Sequence, residues 1–197
     1  MRIIAGSAKG RVLRSLRGRA LRPTADRVRE SLFAALGARV QEALFLDLYA
    51  GAGTVGLEAL SRGAREATFA ESHRPAGAII EENARRCGFE ECVRVIIAPV
   101  ARALARLRRE GASFDLVFVD PPYERGEIGA TMARLGQWQQ MVADGGLVIC
   151  QHSRHEGAEE RVGGLERMKR MRYGETIVDL YQHGGKAVDN GIVRGDL

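Results

Sequence analysis

The segment Phe114-Asp115-Leu116-Val117-Phe118-Val119 has the length and the β-branched, aromatic content of a strand buried on both faces, and it stops at Asp120-Pro121-Pro122-Tyr123. Two consecutive prolines end the ladder there, because each lacks the N–H that pairing requires. A strand this apolar needs cover on both sides, which implies a mainly parallel sheet with helices packed against it. The acid and the prolines then fall at the strand's carboxyl end, where open α/β sheets bind their ligands.

The rest of the chain alternates in the same manner. Runs at 44–48, 66–70, 93–97 and 147–151 read as further strands, and 55–62, 74–87, 100–109 and 129–141 as helices, with Trp138 in the core. Segments 168–173 and 175–181, joined near Gly174, read as a closing hairpin. The expectation is an α/β fold whose mainly parallel sheet has about seven strands and ends in an antiparallel pair. A basic arm over 1–23, one domain over 24–183 and a loose tail over 184–197 divide the chain.

Between the run at 44–48 and its helix lies Asp47-Leu48-Tyr49-Ala50-Gly51-Ala52-Gly53. Glycines there let the backbone approach a ligand and leave the N–H groups of the helix start free for its polar end. The next strand is followed by Glu71, 20 residues beyond Gly51, where an acid commonly holds ribose hydroxyls. Gly51, Gly53 and Gly56 also spell the dinucleotide fingerprint, so an NAD(P)-dependent oxidoreductase is an alternative, although that pattern alone is weak. Asp-Pro-Pro-Tyr has no evident task in hydride transfer.

It does have one in methylating a planar amino group, whose lone pair is delocalised into the ring. The Asp120 carboxylate can accept one hydrogen and the Pro121 carbonyl the other, orienting the nitrogen toward an electrophile. Pro122 keeps Pro121 extended, so that no helix consumes that carbonyl. Tyr123 offers a ring for stacking a base, worth roughly 1–3 kcal/mol. A plain strand terminator with Asp120 as a cap is the structural alternative.

With these residues in view, the chain resembles the RsmD-like 16S rRNA (guanine-N2)-methyltransferase family. Leu46 through Ala64 is similar to its motif I, Met1-Arg2-Ile3-Ile4-Ala5-Gly6 with Lys9-Gly10-Arg11 to its N-terminal hairpin, Leu21 through Phe33 to its signature segment, and Arg172-Tyr173-Gly174-Glu175-Thr176 to its closing hairpin. The resemblance implies a Rossmann-like class I fold, S-adenosylmethionine as cofactor, and 16S rRNA as partner. It assigns cofactor binding to Asp47, Tyr49, Ala50, Gly51, Gly53 and Glu71, and catalysis to Asp120, Pro121, Pro122 and Tyr123. Where relatives carry an acid near adenine, this chain has Ala98-Pro99-Val100, so backbone groups or packing take that role. The target guanine is expected to leave its stack, and direct transfer needs neither a covalent intermediate nor a metal. Positioning of two reactants can supply ~7–11 kcal/mol.

The charge distribution suits a phosphate-bearing partner, although a solvated surface is the usual meaning of such a run. The first thirty residues hold nine bases and two acids, a net +7 against +5 for the whole chain, which leaves the remainder at −2. Arg2, Lys9, Arg11, Arg14, Arg22, Arg27 and Arg29 are the candidate RNA contacts, arginine being suited to phosphates and stacked bases. A small hairpin from 2–5 and 11–13 would present several of them. Cys87, Cys92 and Cys150 lack Cys-x-x-Cys spacing and read as reduced thiols, and His152 and His155 as structural or exposed groups without a metal partner set. No apolar run reaches the ~20 residues of a membrane span. A cytoplasmic monomer acting on a partly assembled small subunit is expected. A DNA or other amino (adenine N6) methyltransferase shares the tetrapeptide logic, but so short a chain has little room for a separate target-recognition domain.

Overall fold

A computed structural model describes residues 1–15, 23–122 and 126–183, with backbone alone for 23–25. Arg22, Tyr123 and the expected tail at 184–197 lie outside the described residues. The chain divides into two compact units, Met1–Ala103 and Leu104–Leu197.

In the first unit three parallel strands, β1 (Leu44–Leu48), β2 (Glu66–Glu71) and β3 (Val93–Ile97), lie in the order β3-β2-β1. Phe45, Leu46 and Leu48 of β1 and Phe69 of β2 are fully buried, as a strand covered on both faces requires. Helix α1 (Pro23–Leu36) buries Val28, Leu32, Phe33 and Leu36, the stripe set by 3.6-residue periodicity. Asp26 sits inside its first turn, where its carboxylate accepts from Arg29 at 3.2 Å. Helix α2 (Thr54–Ser61) packs on β1 and β2. Helix α3 (Arg74–Cys87) lies on β3 and stops at Gly88, whose left-handed backbone (φ +77°) no β-carbon opposes.

Helix α4 (Val100–Arg109) carries the chain into the second unit and buries Leu104 and Leu107 beneath an arginine-rich exposed side. There β4 (Phe114–Val119) pairs in parallel with β5 (Val142–Ser153), Val119 opposite Cys150. Three antiparallel strands follow: β6 (Arg161–Val162), β7 (Leu165–Tyr173) and β8 (Thr176–His183), in the order β5-β8-β7-β6. Strand β5 begins earlier than the apolar run suggests, at Val142. Its polar stretch Asp144-Gly145-Gly146 bulges, Phe114 facing Val142 and Leu116 facing Leu147. Helix α5 (Glu127–Gln137) ends sooner than expected. Trp138 leaves helical geometry (φ −99°, ψ 64°) and a 3-10 turn over Gln139–Met141 leads into β5.

The described residues thus hold eight strands where about seven were expected, β6 being the addition, and the closing antiparallel pair is β7–β8. No described helix is long and apolar enough to cross a membrane.

Candidate active site and nucleic-acid interface

The glycine turn is braced from two sides. Asp47, buried in β1, accepts a hydrogen bond on Oδ2 from the Gly56 amide at 2.9 Å, tying the strand end to the first turn of α2. That approach needs glycine at 56, because a β-carbon there would lie 2.4 Å from the Phe69 ring. At the end of β2, the Glu71 carboxylate accepts from the Gly51 amide through Oε2 and from the His73 amide through Oε1, both at 2.8 Å. Tyr49, Gly51 and Gly53 all have left-handed backbones (φ +61°, +57° and +76°). For the tyrosine that conformation costs on the order of 1–2 kcal/mol, tolerated because the bracing bonds fix the turn. Asp47, Tyr49, Ala50, Gly51 and Gly53 therefore form one shaped loop, and Glu71 touches it.

In the second unit the chain leaves β4 at Asp120, and Asp120, Pro121 and Pro122 belong to neither helix nor strand. Pro121 is buried, while Asp120 and Pro122 are partly exposed. Next to this segment in register, β5 continues past Cys150 to His152. Burial pushes the Cys150 thiol up to about 12, helped by the Asp179, Asp120 and Glu156 carboxylates, so it remains protonated and unreactive.

His152 is a buried group between two acceptors. Its Nδ1 lies 2.8 Å from the Ser153 carbonyl and its Nε2 3.1 Å from Asp179 Oδ2. Both partners accept, so this setting favours the imidazolium, in which both ring nitrogens can donate. Burial opposes that charge, but the Asp179 carboxylate and the Ser153 carbonyl prevail and raise the His152 pKa. Burial likewise disfavours the Asp179 anion, yet Arg170, bonded at 2.7 and 2.6 Å, together with His152 lowers its pKa. The pairing of His152 with Asp179 and Arg170 depends on the β5–β8–β7 register, which nothing in the local sequence announces.

The basic arm is folded as a minimal hairpin. Arg2 bridges Val12, Ile3 N–H donates to Arg11 O at 3.0 Å, and Gly10 N–H donates to Ile3 O at 2.9 Å. It lies against α2 through main-chain contacts. Glu58, fully buried, accepts from the amides of Ile4 (2.8 Å) and Ala5 (3.1 Å), while Ser7 N–H donates to Ser61 O at 2.7 Å. Gly6 makes this possible, since a β-carbon there would overlap the Ser61 carbonyl. Arg2, Lys9, Arg11, Arg14 and Arg27 are exposed. Arg14 pairs with Glu82 at 2.7 Å and holds that carboxyl below its ordinary range.

Arg29 must be withdrawn from the RNA set. It is 5% exposed, and its guanidinium donates to Arg2 O at 2.8 Å and lies 3.5 Å from Glu58. It neutralises the buried carboxylate instead of facing solvent. Sequence reasoning also missed Glu58 and Asn83. The spacing of Glu58 and Arg62 four apart on one helix signals their 2.7 Å ion pair but not its burial.

A groove of about 310 Å³, lined in part by Arg108, Ala112, Trp138 and Gln139, lies at the amino ends of β4 and β5, the opposite end of β4 from Asp120. Its Arg108 guanidinium stacks 4.7 Å from the Trp138 ring centre.

The fold and the relatives that it matches define a methyltransferase of the Rossmann-like α/β class. The Escherichia coli protein yhhF superposes with a TM-score of 0.81 at 33% identity, covering 94% of this chain and 99% of its own. Ribosomal RNA small subunit methyltransferase D of Escherichia coli K12 is 33% identical over 184 residues, 92% of this chain and 89% of that protein. SMU.776, solved in complex with SAH, matches at a TM-score of 0.68 over 82% of this chain and 50% of its own; at 14% identity the likeness concerns the fold. The chain belongs to the family described as Conserved hypothetical protein 95, which matches residues 1–182.

Proposed function

We infer that this protein is an S-adenosylmethionine-dependent methyltransferase that modifies the exocyclic N2 amino group of a guanine in small-subunit ribosomal RNA. The observation that carries the reading is the Asp120-Pro121-Pro122 segment, left outside helix and strand at the end of β4. The Asp120 carboxylate and the Pro121 carbonyl are the two acceptor types that a flat NH2 needs.

The glycine turn suits the cofactor. Glu71 uses one lone pair of each oxygen on the amides of Gly51 and His73, and a carboxylate retains further acceptor capacity for the ribose hydroxyls. Glycine at 51 and 53 removes side chains from the turn's left-handed positions. S-adenosylmethionine supplies an electrophilic methyl on a sulfonium. Asp120 and the Pro121 carbonyl orient the amino nitrogen, Tyr123 stacks the base, and the acceleration comes chiefly from positioning. Asp120 can take the proton afterward.

The exposed bases Arg2, Lys9, Arg11, Arg14 and Arg27, with Arg22, serve the RNA. On this reading 1–23 is the RNA-facing arm, 24–183 the catalytic domain and 184–197 the tail. The substrate is a partly assembled small subunit, met in the cytoplasm by a monomer. Support for the RNA class comes from the curated Escherichia coli relative, whose name specifies small-subunit ribosomal RNA.

The test incubates the protein and a tritiated-methyl cofactor with small-subunit particles lacking the modification, and maps the labelled nucleotide. Label on a guanine N2 is expected. Asp120→Ala should abolish transfer while S-adenosylhomocysteine affinity stays within a few-fold; full activity in that variant would remove Asp120 from the mechanism.

A further inference from the structure

Asn83 stands in the interior of α3, fully buried, at a position where an apolar residue would be the ordinary choice. A buried amide is tolerable only when its hydrogen-bonding groups are met. Here they are met by two different parts of the unit. Oδ1 accepts from the Arg14 amide at 2.8 Å, and Nδ2 donates to the Arg14 carbonyl at 3.0 Å. The same Nδ2 donates to the carbonyl of Ala52, also at 3.0 Å. Arg14 stands near the end of the described part of the basic arm. Ala52 lies in the glycine turn, one residue from the Gly51 amide that Glu71 holds and one from left-handed Gly53.

We propose that Asn83 is a positioning residue that couples occupancy of the glycine turn to engagement of RNA by the arm. This rests on the reading that the turn holds the cofactor and the arm holds RNA. The amide is planar and its two N–H groups diverge at a fixed angle, so one rotamer must satisfy the Ala52 carbonyl and both main-chain groups of Arg14 together. A ligand in the already braced turn restrains the Ala52 carbonyl further. The Asn83 rotamer follows, and with it the docked position of Arg14. The two-state element is the Arg14 end of the arm, docked on Asn83 or released from it. In the docked state Arg14 also pairs with Glu82, on the same helix and one residue from Asn83, so the guanidinium is presented from a defined point. Coupling of this kind is reciprocal: RNA must tighten cofactor binding by the factor with which the cofactor tightens RNA binding.

The probes are S-adenosylhomocysteine and an in vitro 16S rRNA transcript, each titrated on the full-length protein alone and with the other saturating. About fivefold or greater mutual tightening is expected, the lower end of typical allosteric coupling. In Asn83→Ala each ligand should still bind alone, while the tightening falls to about onefold. Asn83→Asp should behave likewise, because it keeps the acceptor for the Arg14 amide but turns an anion toward the carbonyls of Arg14 and Ala52. Should these variants fold poorly, hydrogen exchange of the Arg14 amide in the unaltered protein decides the matter. S-adenosylhomocysteine must slow it. Independent binding of both ligands in the unaltered protein, persistence of the tightening in Asn83→Ala, or an Arg14 amide indifferent to the ligand each overturns the coupling. A protein that binds no S-adenosylhomocysteine at all instead overturns the cofactor reading beneath it.

Discussion

Replacing Glu58 by alanine should detach the arm from α2, and the structure sets the size of the effect. Loss of one partner from a buried ion pair costs about 3–5 kcal/mol, because the remaining charge is stranded. Arg29 is that charge, 5% exposed, but it keeps Asp26 on its own helix at 3.2 Å, which argues for the lower end of the range. The Ile4 and Ala5 amides lose their acceptor as well, at about 1 kcal/mol each. Arg62 is better exposed and adds little. The sum, about 5 kcal/mol, exceeds what a short arm can hold on its own, so the arm should peel away before the whole unit unfolds. Urea unfolding should then show a midpoint lowered by about 2–5 M, given slopes of ~1–3 kcal/mol/M, or a smaller drop accompanied by full loss of exchange protection at Ile4 and Ala5. Joint replacement of Glu58 by Gln and Arg29 by Met should recover part of the loss, since neither charge is then stranded. An unchanged midpoint with protected Ile4 and Ala5 amides in Glu58→Ala would refute the account of the arm's anchorage.

Arg11→Gln with Arg14→Gln should weaken RNA binding and lower the slope of log affinity against log salt by about 0.7 for each single-strand phosphate that is no longer neutralised. Arg11 should contribute more, because Arg14 already pairs with Glu82; an unaltered slope would exclude this part of the arm. The His152–Asp179 pair sets a pH window on stability. The His152 pKa is raised in the fold, so its contribution is complete below about 6.5 and fades as pH rises through the folded value. Asp179 is depressed, so its contribution is present above about 3.9 and is lost as pH falls through its folded value. The difference in Tm between the unaltered protein and Asp179→Asn should be largest near pH ~5–6 and shrink on both sides; a difference constant from about pH 3 to 9 would contradict the opposed shifts of the pair.

Strands β1, β3 and β4 and helices α3 and α4 were legible in the sequence to the residue. Each is a run whose period is set by burial and whose ends are punctuated locally: Gly88 after α3, the prolines after β4, Pro99 before α4. The start of β5 was hidden because Asp144-Gly145-Gly146 reads as a loop, and pairing with β4 rather than composition makes it a strand. Strand β6 has two residues and exists through pairing with β7 alone. The glycine turn itself was legible because glycine spacing is a local signal of backbone shape. Arg29 was misread for the converse reason. A charge count cannot separate an arginine facing water from one aimed at Glu58, 29 residues further along the chain. Asn83 was invisible for the same cause: its partners Arg14 and Ala52 are distant in sequence, and an asparagine within a helix carries no mark of what it will meet.

The arm is gripped by its main chain. Glu58 reads the amides of residues 4 and 5, Ser61 meets the amide of Ser7, and Gly6 contributes only the lack of a side chain. Outward positions such as Arg2, Lys9 and Arg11 take no side-chain part in that grip. Evolution or an engineer can therefore rewrite them to suit a different nucleic-acid contour without loosening the mount, much as a tool head is exchanged on an unchanged shank.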